Sequence, residues 1–233
     1  MIAQAAALLL LAQAPSASRV PTVQGVVVDA GRGPALWRVA KGQSEVWLLP
    51  LPPVVPKGLK WNTRRLDLLL EGAHVLLTPA AYEVTAHRKV ARSGPRPPLE
   101  ATLPADLRAR FVAARERAGR EGDRYADQSP LFAGYRLRGD LYARAALTEE
   151  EPERTVRLIA RRRGVPVRVV AVYRETLAPQ FAERPEEAED ACLDGAIDDA
   201  DFALAHAAAA ARAWAVGDLA TLRANLTLSL IHI

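Results

Sequence analysis

The chain opens its readable pattern with Gln24 to Asp29 (Gln-Gly-Val-Val-Val-Asp), a β-branched run that meets the turn residues Gly31-Arg32-Gly33-Pro34. Stiff side chains followed by a glycine–proline turn predict a strand. Leu36 to Ala40 and Glu45 to Leu49 alternate or run apolar on either side of Lys41-Gly42-Gln43, which predicts a hairpin. Pro50, Pro52, Pro53 and Pro56 then fall within one short stretch up to Gly58. Proline lacks the amide proton that a helix or a central strand needs, so an extended loop is expected there.

Helical spacing takes over at Leu66, Leu69 and Leu70. Asn62 or Thr63 can cap that helix and Gly72 can stop it, ahead of a buried strand at His74 to Leu77. After a proline-rich connection between Val90 and Glu100, Thr102 is the expected cap and Pro104 the first helical residue of a segment with Leu107, Phe111, Ala114 and Ala118 on one face. Gly119 to Gln128 reads as polar loop. Ser129-Pro130 opens another helix, with Leu131, Tyr135, Tyr142 and Ala145 expected inward, and Pro152-Glu153 opens a further one that Gly164 and Pro166 end before the run Val167 to Val172. Beyond Pro185, the stripe Leu193, Ile197, Ala200, Leu204, Ala208, Ala211 and Ala215 predicts a long helix up to Gly217. Strands interleaved with helices indicate an α/β fold, a mixed β-sheet flanked by helices.

Composition changes this picture little. At 233 residues, half apolar and a quarter charged, the chain has the length and make-up of one globular domain. The net charge of +4 is spread along the sequence and interleaved with acidic runs such as Glu149-Glu150-Glu151, unlike the concentrated basic patch of a nucleic-acid binder. Met1 to Ser18 is uncharged and carries the apolar run Ala5 to Ala12, the length of a signal-peptide core and too short to span a bilayer. Export to the periplasm or medium is therefore expected, with residues 1–18 as leader and 19–227 as one domain. The last six residues, Leu228 to Ile233, match one reading frame of a transposon-adaptor end used in sequencing libraries, so the natural chain is expected to continue past about Thr227 and His232 carries no argument. A single Cys192 excludes an internal disulfide and is expected to be a small buried apolar residue.

Candidate chemistry is sparse. Asp190, Asp194, Asp198 and Asp201 share one side of the long helix; a hard divalent cation would suit such carboxylates, but a solvated face beside a buried stripe is the simpler expectation. His74, His87 and His206 are far apart and form no HExxH or short metal pair. The triplet Arg161-Arg162-Arg163 suits a helix C-terminus, where cations meet the negative end of the dipole. Trp37, Trp47, Trp61 and Trp214 lie in or beside apolar runs and are expected to pack. No GxSxG, P-loop or GxGxxG occurs, and no residue is assigned as catalytic, cofactor-binding or metal-ligating.

Three blocks carry a resemblance: Pro34-Ala35-Leu36-Trp37-Arg38-Val39, Val46-Trp47-Leu48-Leu49 and Pro56-Lys57-Gly58-Leu59-Lys60-Trp61. With Ser129 to Phe132, Arg154 to Val172 and Ala213-Trp214-Ala215-Val216-Gly217-Asp218-Leu219, they resemble the TraB/GumN family, distant relatives of the Tiki-type metalloproteases, over most of residues 34 to 220. The resemblance implies that fold, incomplete at the C-terminus. It also implies a GTxH loop after the hairpin and a strand ending in Glu; here the Gly falls on Pro50, the His on Pro53 and the Glu near Thr78 or Pro79. Proline offers a metal no lone pair, so the resemblance implies a degenerate metal site, no cofactor, and a binding or interaction module for an unknown protein or small molecule. The rival is a metal-dependent hydrolase or peptidase whose ligands, a second GxxH among them, lie in a missing C-terminal half.

Overall fold

The computed structural model describes residues 33–78, 81–85, 97–121, 123–170, 172–176 and 186–225. The leader, the strand expected at Gln24 to Asp29, His87, Pro79 and the six C-terminal residues lie outside them.

Strands β1 (Trp37–Lys41) and β2 (Ser44–Leu48) form the expected antiparallel hairpin, Trp37 opposite Leu48 and Lys41 opposite Ser44. Gly42 leads the two-residue turn at φ +59°, which an L side chain would strain and glycine adopts freely. The proline-rich segment runs extended as expected, with one addition: β3 (Val55–Pro56) pairs antiparallel with β6 (Leu147–Thr148). A missing N–H excludes a central strand but not a two-residue edge pair.

Helix α1 (Arg64–Glu71) leads into β4 (Leu76–Thr78), and far along the chain α6 (Glu151–Arg162) leads into β7 (Val167–Val169). These two helix–strand units lie side by side, because β4 and β7 pair in parallel. The pairing resumes with the same register offset between β5 (Ala81–Thr85) and β8 (Val172–Thr176). Leu66 and Leu70 of α1, Val156, Ile159 and Ala160 of α6, and Val165 make one buried cluster, against which Leu49, Trp61, Leu76 and Val167 pack. Asn62 supplies the cap oxygen, accepting from the Arg64 amide at 3.0 Å. Gly164, at φ +69°, ends α6 in the left-handed conformation foreseen for it, and Gly72 ends α1 without it, at φ −99°.

The larger core is helical. It joins α2 (Leu99–Thr102), α3 (Ala105–Arg117), α4 (Asp123–Ala126), α5 (Pro130–Arg144) and α7 (Glu186–Val216), with α8 (Leu219–Asn225) after a turn at Gly217. Phe111, Leu137, Leu193 and Ile197 are among its most buried side chains. Gly134 brings α5 against α7: a Cβ there would stand 3.0 Å from the Ala196 Cβ and 3.3 Å from the Leu193 Cα. No helix among the described residues is long and apolar enough to cross a membrane.

Several expectations are corrected here. Pro104, not Thr102, is the N-cap of α3; the Thr102 hydroxyl donates to the Leu99 carbonyl at 2.8 Å and closes α2 instead. The supposed polar loop contains α4, whose Tyr125 is 1% exposed and edge-on to Phe111 at 5.5 Å. Tyr135 is 58% exposed and Ala145 is exposed, because α5 turns Ala133, Leu137, Asp140 and Leu141 inward. On α7 the buried line shifts after Ala200 to Ala203, Ala207, Ala210, Ala211 and Trp214. In an alanine-rich helix several faces are equally apolar, and the neighbours choose among them. Cys192 is half-buried, not enclosed. The class is α/β as expected, and among the described residues the strands pair two by two in small ladders, not in one broad sheet.

Candidate functional site

Two neighbouring features converge where the hairpin meets α1. The first is the proline segment. Leu49 packs into the α1–α6 cluster, and Pro52 and Val54 are buried while Pro53 is exposed. The Pro50 carbonyl accepts a hydrogen bond from Trp214 Nε1 at 2.7 Å. Trp214, 2% exposed, packs edge-on against Trp61 at 4.9 Å and 62°. The loop is thus held by the far end of α7, through the one polar atom of an otherwise apolar side chain.

Thr78 closes β4 and is buried, 4% exposed. Its carbonyl accepts from the Val170 amide at 3.0 Å, and its hydroxyl donates to the Arg168 carbonyl at 3.5 Å. Arg157 Nη2 donates to that same hydroxyl at 3.3 Å, while Arg157 Nε donates to Glu153 Oε1 at 2.7 Å. The charged group on the Thr78 hydroxyl is therefore a cation with its own partner.

The second feature is an open cleft of about 550 Å³ between the chain that enters the hairpin and α1, lined by Pro34, Leu36, Leu49, Trp61, Arg64 and Arg65 among others. Gly33, at φ +135°, lets the entering chain press on the turn before α1; a Cβ there would stand 3.0 Å from the Asn62 carbonyl oxygen. Arg65 lies over the Trp47 ring at 5.7 Å, a cation–π arrangement.

The residues singled out in the sequence do not gather in either place. Asp194 and Asp198 both grip Arg110 of α3, and Asp201 pairs with Arg117 at 2.7 Å. That acidic face is solvent-exposed as expected, and it also carries ion pairs to α3. His74 is exposed, and His206 stacks on Phe202 with Nδ1 3.2 Å from Asn225 Oδ1. Arg163 of the triplet donates to both carboxylate oxygens of Asp67 and reaches Glu71 at 3.6 Å, which ties α6 to α1. Among the described residues no three His, Cys, Asp or Glu side chains stand close enough to hold a metal.

One polar cluster escaped sequence reasoning. Asp140, its side chain 7% exposed, accepts from Arg124 through Nε at 2.6 Å and Nη2 at 2.7 Å, and from the Tyr125 hydroxyl at 2.8 Å. Burial would push the Asp140 carboxyl up, but the Arg124 and Tyr125 hydrogen bonds outweigh it and hold the group below the ordinary range. Burial, then the bond to Asp140, pushes the Tyr125 phenol up to about 12. The signal available was an aspartate three residues after Leu137 on the apolar face of α5. The cluster fastens α4 to α5.

A family model described as TraB/PrgY/gumN matches residues 35–230. The chain belongs to the TraB/PrgY/gumN family. No curated protein and no solved structure matches it. In this TraB/PrgY/gumN chain two positions that the resemblance aligns with metal ligands hold prolines, and a third falls on Thr78 or on Pro79, which lies outside the described residues. Pro50 and Pro53 have no side-chain donor, and the Thr78 hydroxyl, a weak neutral ligand, faces the Arg157 guanidinium. A cation set there opposes a second one.

Proposed function

We propose that the protein is an exported, non-catalytic member of the TraB/PrgY/gumN family that works as a binding or interaction module. The observation that carries the reading is Arg157 on Thr78: at the strand end where the resemblance places a carboxylate, on Thr78 or Pro79, the buried Thr78 hydroxyl accepts from a guanidinium. The rival hydrolase could draw on the acidic face of α7, but Asp194 and Asp198 already pair with Arg110, and Asp201 with Arg117. Export rests on the uncharged apolar leader.

The test uses full-length protein expressed from its own start codon. Recovery in the periplasmic fraction with an N-terminus near Ser18 or Arg19 supports export; an intact Met1 in the cytoplasm removes it. After dialysis against Mn²⁺, Co²⁺ or Zn²⁺, elemental analysis is expected to show no stoichiometric metal, and a peptide library is expected to stay uncleaved. Stoichiometric uptake with cleavage would establish the hydrolase.

A further inference from the structure

We infer that the cleft between the hairpin entry and α1 binds a small organic anion with an apolar body, the anionic group on Arg64 and the body against Trp61, Leu36 and Leu49. This deepens the binding-module reading by assigning it a site and a ligand class. The cleft, about 550 Å³, falls within the size range of small-molecule sites, which are mostly apolar with a few placed polar groups.

Its polar groups are unequal. Arg64 has no carboxylate partner among the described residues, whereas Arg163 holds both carboxylates of α1, Asp67 in its first turn and Glu71 at its last residue. Both carboxylates of α1 are thus engaged by Arg163, and Arg64, which lines the cleft, is left for an incoming anion. A guanidinium bonds a carboxylate through two parallel N–H groups, roughly twice as strongly as a neutral pair. The first amide of α1 is already taken by Asn62 Oδ1, and the charge recognition is assigned to the side chain of Arg64. The walls are set before a ligand arrives. Gly33 holds the entering chain on the Asn62 carbonyl, and Trp61 is braced by Trp214 and so by Pro50. A preformed cleft loses little entropy on binding.

The probe is 3-phenylpropionate, with 3-phenylpropionamide as its neutral counterpart, titrated into the full ¹⁵N-labelled chain and followed by amide and indole resonances. Saturable shifts are expected at the Trp61 indole and the Arg64, Arg65 and Leu66 amides, with the amide probe about tenfold weaker. Arg64→Gln is expected to weaken the acid about tenfold without changing the thermal midpoint, and Arg64→Lys to retain part of the affinity. Equal affinity for acid and amide, wild-type binding by R64Q, or shifts that never saturate or fall elsewhere would each overturn the assignment. Metal uptake by the same preparation separates the two readings: a metal-loaded, cleaving protein that still binds the probe in the cleft retains this site and loses the non-catalytic reading. An inert, metal-free protein that ignores the probe loses only the site.

Discussion

Replacing Trp214 with Phe tests whether the proline segment is a structural tether. The substitution removes one donor, Nε1, which stands 2.7 Å from the Pro50 carbonyl, and keeps a ring beside Trp61. Pro50 is exposed, so water can take over its carbonyl, and the lost bond costs about 1 kcal/mol instead of the full penalty of a buried orphan. Trp214 itself is 2% exposed; shrinking an indole to a phenyl leaves a void that costs a further ~1–2 kcal/mol. Trp214→Phe should therefore destabilise by about 2–3 kcal/mol, and Trp214→Ala, which also removes the contact with Trp61, by about 3–5. Urea unfolding followed by circular dichroism measures both, with the midpoint falling at unchanged m. In the Phe variant, resonances around Leu49 to Val54 and at Trp61 should also move. A W214F midpoint within error of wild type, with those resonances unmoved, would refute the tether.

Two further outcomes follow from the helical core. Asp140 has a folded pKa below its ordinary 3.8, so its stabilisation is complete above the unfolded value and is lost as pH falls through the folded one. Asp140→Asn should thus cost on the order of 2 kcal/mol near pH 6, and the gap to wild type should narrow as urea midpoints are taken below about pH 4; a constant gap would mean that the carboxylate's charge is irrelevant. At Gly134, valine would drive its branches into Ala196 and the Leu193 backbone, and overpacking of this kind costs ~1–3 kcal/mol. Thermal melting of G134V at or above the wild-type midpoint would show that α5 and α7 can separate.

The hairpin around Gly42, the stop at Gly164, the proline-rich extension and the long helix before Gly217 were all legible in the sequence, because each rests on a few adjacent residues with narrow backbone preferences. Family membership was legible for a similar reason, carried by short blocks such as Pro34 to Val39 and Ala213 to Leu219. Tertiary structure decided the rest. Whether Asp194 and Asp198 meet water, a metal or Arg110 depends on how α3 docks on α7, across more than eighty residues of chain. Which alanines of α7 are buried beyond Ala200, and that Tyr125 leaves its polar surroundings for the core, depend on neighbouring helices whose approach no local period encodes. So does the link from Trp214 to Pro50 and Trp61, which joins two resemblance blocks at opposite ends of the chain and braces one wall of the cleft. Local preference sets the elements; only close packing, where one side chain's place excludes another's, sets which groups meet.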